Sequence, residues 1–399
     1  MTPPIWDRLV GQDMVVRELT HAVEHAELVL RGEHGPGMTH AWLVTGPPGS
    51  GRSTAATSFA AALLCPEHGC GVCDACRLAP TGAHPDVDVI VAEGLSYKTE
   101  EARDLVIRAS MTPIIGPWHV IVVEDADRLT DHAVNVLLKS LEEPPPHTVW
   151  VLCAPSVEDV LPTILSRTRH VPLRTPSARD VADLLIRSYQ VDGSMAAFAA
   201  RASQGHIGRA RALATDEHAR LRRQEVLRIP FQLHDVPSCF VAAANLLEAA
   251  TEDARALTDP LDETENENLL AEYGDGASGI TQARLKRMMS KATKDLAGRQ
   301  KTRRTRMVRD QVDRALLDLM GLYRDVLVLQ FDGDVELINE EMRPQLAQLA
   351  ARSVVNDTGR RLAAIAYGRE QIGANVTPQL ALESLMVELK DPWIRLSSA

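Results

Sequence analysis

The loop at residues 44–53, VTGPPGSGRS, has the spacing of a phosphate-binding loop. Gly46, Gly51 and Ser53 match the pattern G-x-x-x-x-G-K-[ST], but Arg52 stands where the pattern has lysine. In such loops, backbone N–H groups surround the phosphates while the basic side chain and the hydroxyl reach phosphate and Mg²⁺. Arginine keeps the charge on a longer, planar head, so we expect nucleotide binding to survive better than hydrolysis. A glycine-rich turn without a ligand is the alternative.

Two acids end the apolar run HVIVVED at residues 119–125. The Mg²⁺-holding strand of related hydrolases ends with Asp and then Glu, whereas here Glu124 precedes Asp125. The exchange lengthens the metal-ligand side chain and shortens the water-activating one, so we expect depressed turnover. The residues predicted to hold nucleotide come from the loop and these acids: Gly46, Gly49, Gly51, Arg52, Ser53, Thr54, Glu124 and Asp125.

A cysteine cluster follows at residues 65–76, in the stretch CPEHGCGVCDAC, and its members are Cys65, Cys70, Cys73 and Cys76. Four thiolates this close form the ligand set of a tetrahedral structural Zn²⁺ site. A redox CxxC motif is the alternative, although it needs only two cysteines. His68 could replace one sulfur, but the complete cysteine set makes it a bystander.

Short apolar runs must position these motifs, at residues 39–45, 86–92, 119–125 and 148–154. Stretches with helical periodicity separate them, and this alternation predicts a parallel α/β sheet. The strand signals stop after residue 172. Thr175 before Pro176 then predicts the first cap of a helix, and the remaining pattern is mostly helical.

Three domains are predicted from this pattern: an α/β domain with the zinc module (1–172), a small helical domain (173–220) and a larger helical domain (221–399). In the last domain, one helical face is expected to be buried by Val308, Val312, Ala315 and Leu319. Residues 251–281 are rich in acids, Asn and Gly, and this composition predicts a flexible insertion between helices.

Composition limits the class of protein. The 399 residues are 45% hydrophobic, and no run resembles a signal peptide or a membrane span, so we expect a folded cytoplasmic protein. The net charge of −11 argues against a generally basic DNA-coating surface. A dense basic run at 284–309 lacks aromatic residues that would stack on bases. We interpret it as a solvated helical face or a partner contact rather than a DNA site.

Several blocks together resemble the clamp-loader subunits of bacterial DNA polymerase III, which are AAA+ ATPases. The matching blocks are VGQDMVVREL (10–19), the glycine loop, HVIVVEDADRLTDHAVNVLLKSLEEPPPHT (119–148) and TILSRTRHVPL (163–173). NVLLKSLEEPP followed by ILSRT is far more specific than the loop alone. The stretch at 301–327 is similar to the C-terminal collar domain of the delta-prime branch of this family.

The resemblance implies a AAA+ domain, a helical lid and a helical collar, with Zn²⁺ on the four cysteines and ATP or ADP with Mg²⁺ at the loop. It also implies a role for Ser166, Arg167 and Thr168, which occupy the motif that offers an arginine finger to the ATP site of a neighbouring subunit. Arg167 is therefore the candidate catalytic residue, acting in trans.

Two sensor positions depart from the family pattern. Ala154 and Pro155 stand near the place of a polar residue that orients water, and neither has a side chain able to do so. Gly208 stands near the place of a second sensor arginine, with Arg209 one residue out of register. These departures, together with those in the loop and the acids, indicate a chain that hydrolyses little or no ATP itself.

The leading hypothesis is a delta-prime-type subunit that hydrolyses little or no ATP and has no polymerase activity of its own. It would join tau/gamma and delta subunits in a five-membered ring that loads the sliding clamp on primed DNA, and it would present Arg167 to a neighbour. An active tau/gamma-type motor subunit is the alternative, which the altered catalytic residues oppose. A free-standing small-molecule kinase or redox protein would leave the family blocks unexplained.

Overall fold

The computed structural model describes residues 3–92, 94, 96–97, 99–274 and 282–393. The chain divides into two compact units, Met1–Thr215 and Asp216–Ala399. The helices of residues 173–215 belong to the first unit, while the predicted domain boundaries at 172 and 220 stay predictions. Within the described residues, no helix has both the length and the apolar content needed to cross a bilayer.

A five-stranded sheet, parallel throughout, forms the centre of the first unit, in the order β2-β3-β4-β1-β5. Its strands are β1 (Ala41–Thr45), β2 (Val87–Ile90), β3 (His119–Val123), β4 (Thr148–Ala154) and β5 (Arg169–Pro172). The predicted parallel α/β fold is confirmed, and all four predicted strands are present. The fifth strand was not predicted because its sequence, RHVP, has one apolar residue between basic residues and a proline and therefore lacks an apolar run.

Helices cover both faces of this sheet, which explains why the inner strands β1, β3 and β4 are fully buried, mostly apolar runs. They are α1 (Asp13–Leu30), α2 (Arg52–Leu64), α3 (Asp74–Leu78), α4 (Thr99–Ala109), α5 (Asp131–Glu142) and α6 (Pro162–Leu165). Successive residues of a strand point to opposite faces. Trp42 accordingly packs with Phe59 in one core cluster, while Leu43 lies with Trp150 in the other.

Three short helices complete the first unit: α7 (Ala178–Tyr189), α8 (Gly193–Ser203) and α9 (Ile207–Thr215). The predicted cap at Thr175 is wrong, because α7 begins later and its N-cap is Ser177. The Ser177 hydroxyl accepts a hydrogen bond from the Asp180 N–H at 3.1 Å, which satisfies a free donor of the first turn.

The second unit is entirely helical in its described part. Its helices are α10 (Glu217–Arg228), α11 (Val236–Gly274), α12 (Gln282–Gln330), α13 (Arg343–Arg352), α14 (Val355–Gly373) and α15 (Pro378–Lys390). Val312 and Leu319 of α12 are fully buried and Ala315 packs against the same core, as predicted, whereas Val308 is only partly buried.

The predicted flexible insertion is wrong for residues 251–274, which continue helix α11. Its acids are not left to repel one another in solvent, because α12 offers arginines to them. Arg303 donates to Glu265 at 2.7 Å and Arg304 donates to Asp259 at 2.8 Å. The composition of 251–274 resembles that of a disordered segment, but a partner of opposite charge stabilises it as a helix. The remaining predicted residues, 275–281, lie outside the described part of the chain.

Candidate functional site

The carboxyl edge of the sheet brings the predicted nucleotide residues together. The glycine loop follows β1, the pair Glu124–Asp125 follows β3, and Ala154–Pro155 ends the intervening strand β4. The Gly46 N–H lies 3.3 Å from the Ala154 carbonyl and 3.2 Å from the Pro155 carbonyl. The segment in the place of the first sensor therefore meets the loop through its backbone.

The loop backbone has the conformation that its glycines were expected to permit. Gly49 and Gly51 have φ values of 81° and 98°, in the left-handed region that favours glycine. Helix α2 begins directly afterwards, at Arg52, so its free N–H groups face the loop. A cavity of about 220 Å³ opens there, and Ser53, Thr54 and Glu124 are among its lining residues. Hydroxyls, a carboxylate and a helix N-terminus are thus available to phosphate and Mg²⁺.

The Arg52 side chain folds back onto its own loop. Its Nη1 donates a hydrogen bond to the carbonyl oxygen of Gly46. One N–H group of Arg52 that could donate to a bound phosphate is therefore already hydrogen-bonded within the loop. Engaging phosphate through this atom requires breaking that bond, a cost additional to the altered reach of the guanidinium.

A third acid lies close to the predicted pair. Burial raises the pKa of Asp127, and the negative charge of Asp125 raises it further, while Arg128 and Arg52 act in the opposite direction. Asp125 itself has a φ of 53°, and the Tyr97 hydroxyl donates to the Glu124 carbonyl at 2.5 Å. Sequence reasoning did not consider Asp127, although the spacing E-D-x-D placed it within one turn of the pair.

The start of α9 packs directly against the glycine loop. A Cβ placed on Gly49 would lie 2.2 Å from Cγ of His206, and the Ile207 N–H donates to the Gly49 carbonyl at 3.3 Å. Gly208 and Arg209, which occupy the second sensor region, therefore follow a segment in contact with the phosphate loop. His206 could not be identified from the sequence, because the contact between residues 49 and 206 exists only in the folded chain.

The candidate finger, Arg167, lies between α6 and β5 and is held by three neighbours. Its Nε donates to Glu142 at 2.6 Å, and its Nη1 donates to the Thr163 carbonyl at 2.8 Å and to the Ser166 hydroxyl at 3.0 Å. The Arg167 side chain is 31% exposed, and that of Glu142 is 46% exposed. The guanidinium is therefore held at the protein surface and is not buried in the core.

The four cysteine sulfurs converge as a metal site requires. One Sγ from each of Cys65, Cys70, Cys73 and Cys76 lies within 4.8 Å of the others, and the Cys65–Cys73 separation is 3.6 Å. Tetrahedral coordination with Zn–S bonds of about 2.3 Å places sulfurs about 3.8 Å apart, so the cluster fits such an ion. His68 instead pairs with Glu27, with 2.8 Å between His68 Nε2 and the carboxylate.

Backbone hydrogen bonds around these sulfurs favour thiolates. N–H groups of Glu67 and Cys70 donate to the Cys65 sulfur, each at 3.4 Å. The N–H groups of Val72 and Cys73 lower the pKa of Cys70 to about 7. Burial raises the pKa of Cys76, so this thiol gains most from a nearby cation. The donor set can hold a soft divalent metal.

Known proteins resemble both the first unit and most of the chain. The family model described as DNA polymerase III, delta subunit, matches residues 30–177. The DNA polymerase III subunit gamma/tau of Mycobacterium tuberculosis is 32% identical over 196 residues, which are 48% of this chain and 32% of that protein. The chain thus spans about a third of the length of its gamma/tau relatives.

The delta' subunit of Bacillus subtilis is 24% identical over 357 residues, covering 89% of this chain and 92% of that protein. The delta' subunit of Pseudomonas aeruginosa is 37% identical over 155 residues, covering 37% and 47% respectively. A solved gamma subunit-related protein of Thermotoga maritima covers 93% of this chain and 99% of its own, at 15% identity and a TM-score of 0.39.

The parallel sheet, the glycine loop after β1 and the acids after β3 define a fold of the AAA+ class. The chain is similar to DNA polymerase III subunits of both gamma/tau and delta' type, and this similarity supports membership of the clamp-loader family. The family model and the near full-length similarity to the B. subtilis protein support a subunit of delta-prime type.

Proposed function

We propose that this chain serves a DNA polymerase III clamp loader as a subunit that supplies a catalytic arginine and hydrolyses little ATP itself. The observation that carries the proposal is a partly exposed arginine in a defined hydrogen-bonded setting, in a chain whose own catalytic residues are altered. Arg167 keeps three partners around its guanidinium, whereas Arg52 donates to its own loop and Ala154 brings no polar side chain.

The chain's own nucleotide site is proposed to bind ATP or ADP rather than to turn it over. The loop N–H groups and α2 would hold the phosphates, and Ser53 with the acids Glu124 and Asp125 would hold Mg²⁺. Bound Mg²⁺ would neutralise phosphate charge there. Contact between His206 and Gly49 couples the lid to the loop, so nucleotide would stabilise one arrangement of the first unit. Such a site would act as a structural element of the assembly.

Arg167 is proposed to act on the ATP of a neighbouring subunit. A guanidinium offered in trans stabilises negative charge on the transferring phosphoryl group, an effect of about 10³- to 10⁵-fold in rate. Glu142, Thr163 and Ser166 would hold the side chain near its working position before assembly. Its partial exposure is compatible with contact across a subunit interface.

The proposed partners are tau/gamma and delta subunits in a hetero-pentameric ring, and through it the sliding clamp and primed DNA in the cytoplasm. The cysteine cluster is proposed to hold structural Zn²⁺. It tethers the N-terminal segment, because the Ile5 N–H donates to the Gly69 carbonyl at 3.1 Å. The metal would thus stabilise the first unit at a distance from the chemistry.

An active motor subunit is the second candidate, and the 32% identity with gamma/tau subunits over 196 residues favours it. The altered residues at the loop, the acids and the first sensor position oppose it. ATP turnover by the isolated full-length chain separates the two candidates, since only a motor subunit sustains it.

The test of the finger uses Arg167→Ala in an assembly of this chain with one neighbouring ATPase subunit. We expect hydrolysis at the shared interface to fall by about 10³-fold or more, with assembly by gel filtration unchanged. Arg169→Ala is the matched control, because Arg169 also pairs with an acid, donating to Glu18 at 2.8 Å. The control should retain hydrolysis. Unchanged hydrolysis in Arg167→Ala would remove the proposed mechanism.

A further inference from the structure

The distal halves of α11 and α12 pair with each other through one face of each helix. Leu296 of α12 is 4% exposed, Gln300 donates to the Asp262 carbonyl at 3.2 Å, and Arg303 donates to Glu265 at 2.7 Å. These α12 residues recur at the spacing of one helical face. That face is therefore committed to α11.

A row of cations lies on the opposite side of α12 and is called the basic stripe: Arg287, Lys291, Lys294 and Lys301. With 3.6 residues per turn, these positions fall about half a turn from Leu296. All four residues are exposed. Within the described part of the chain, none of them forms a hydrogen bond or ion pair with another side chain. Asp295 is the acid nearest to them in sequence, and it projects to one side of the row.

We propose that the basic stripe binds the phosphate backbone of duplex DNA, as part of the clamp-loading function proposed above. The stripe runs about 21 Å along α12, at about 1.5 Å per residue. Duplex DNA presents a phosphate about every 3.4 Å along each strand, which is dense enough for the backbone to contact several of these cations at once. Contact of this kind is independent of base sequence.

The side chains of the stripe favour phosphate over a protein surface. Three of the four cations are lysines, which are depleted at the centre of protein interfaces but bind phosphate well as point charges. Gly298 lies on the same face with open space around it, and Thr305 continues the row. A protein interface would be expected to have an aromatic or aliphatic anchor here, and neither residue offers one.

The surrounding charges leave this face electropositive despite the net charge of −11. The acids of α11 nearest to it in the pairing, Asp259, Asp262 and Glu265, form ion pairs with Arg303 and Arg304 across the helix interface. Asp262 lines a cavity together with Lys301, at the C-terminal end of the stripe, but its carboxylate is already paired with both arginines. Without aromatic residues on the stripe, base stacking with single strands is not available, so a duplex is the fitting ligand.

The test measures binding of the full-length chain to a blunt-ended DNA duplex by fluorescence anisotropy over a series of salt concentrations. The stripe variant is Lys291→Glu with Lys294→Glu. The control is Arg103→Glu with Arg352→Glu, which changes the net charge equally at exposed arginines elsewhere in the chain. We expect the stripe variant to bind at least tenfold more weakly, with the slope of log K against log salt reduced by about 2. The control should bind like wild type.

A second pair, Lys291→Gln with Lys294→Gln, should show a smaller loss of affinity with the same loss of slope, and circular dichroism confirms folding of each variant. Three results would each overturn the proposal: the control variant binds duplex as weakly as the stripe variant, the stripe variants bind with wild-type affinity, or the wild-type chain does not bind duplex at low salt. Loss of assembly with partner subunits in the stripe variant would assign the stripe to an acidic protein instead. Arg167→Ala should bind duplex like the wild-type chain, so the proposed role of Arg167 and the proposed DNA binding by the basic stripe are tested separately.

Discussion

Replacing Gly49 by alanine tests whether the lid segment closes on the phosphate loop as the structure shows. Gly49 has a φ of 81°, and a left-handed conformation costs a residue with a Cβ about 1–2 kcal/mol. The new Cβ would also lie 2.2, 2.5 and 2.6 Å from Cγ, Cδ2 and Cβ of His206. Since real Cβ atoms do not approach so closely, His206 must move.

The two costs can be separated with a matched glycine. Gly32 has a φ of 78° and no atom within 4 Å of the position of its Cβ, so Gly32→Ala measures the backbone cost alone. Overpacking in a well-packed region adds about 1–3 kcal/mol. We therefore expect Gly49→Ala to lower the free energy of unfolding by about 2–5 kcal/mol and Gly32→Ala by about 1–2 kcal/mol.

A double-mutant cycle locates the second cost. His206→Gly removes all three atoms close to the new Cβ, and we expect a favourable coupling with Gly49→Ala of about 0.5–3 kcal/mol. His206→Gly also removes the hydrogen bond that the Arg209 N–H donates to His206 Nδ1 at 3.2 Å. The free energy of unfolding of the His206→Gly single mutant includes this loss, so the cycle subtracts it. Because the residues touch the phosphate loop, the same variants should bind a fluorescent ADP analogue more weakly than Gly32→Ala does.

The measurement is urea unfolding of the full-length chain, followed at the transition of the first unit. Equal destabilisation by Gly49→Ala and Gly32→Ala, or a coupling of zero with His206→Gly, would refute the inferred contact between lid and loop. Such a result would also remove the proposed link between nucleotide binding and lid position.

Two further predictions concern the first unit. Purified protein should contain one zinc ion per chain by elemental analysis. Cys73→Ser or a strong chelator should remove the zinc and lower the thermal transition temperature of the first unit. Full retention of zinc by the Cys73→Ser variant would contradict the four-cysteine site. Burial raises the pKa of Asp86, but the N–H groups of residues 114–116 donate hydrogen bonds to its carboxylate, and the pKa is lowered overall. A lowered pKa contributes stability that is present above the unfolded value near 3.9 and lost as pH falls through the folded value. Asp86→Asn should therefore cost about 1.5–3 kcal/mol at neutral pH and flatten the loss of stability in acid, as measured by urea unfolding at several pH values.

Much of the fold could be predicted because local patterns were strong. Strands β1, β3 and β4 are fully buried, mostly apolar runs, and a sheet covered on both faces requires that pattern in its inner strands. The cysteine spacing predicted four converging sulfurs, since so short a segment leaves them few other arrangements. Strand β5 lacked an apolar pattern, because Val171 is flanked by Arg169, His170 and Pro172, and its pairing with β1 depends on tertiary contact.

The acidic segment shows where composition misleads. Residues 251–274 resemble a disordered linker, yet they form part of a long helix because arginines of α12 neutralise several of their acids. The basic run at 284–309 reads as one charged stretch in the sequence, but its residues have different surroundings in the structure. The fold divides it into arginines paired with α11 and a stripe of cations on the opposite face.

The sequence by itself determined the phosphate-loop spacing, the exchanged acids, the metal-ligand set and the position of the candidate finger, because each depends on residue type and short separation along the chain. Only the tertiary structure decided that Arg52 donates to Gly46, that His206 closes on Gly49, and that Glu142 holds Arg167. Two of these pairs join residues distant in sequence, and the third depends on a side-chain conformation. Hydrogen bonds and steric contacts of this kind act over a few ångströms in space, so residue order does not specify them until the backbone has folded.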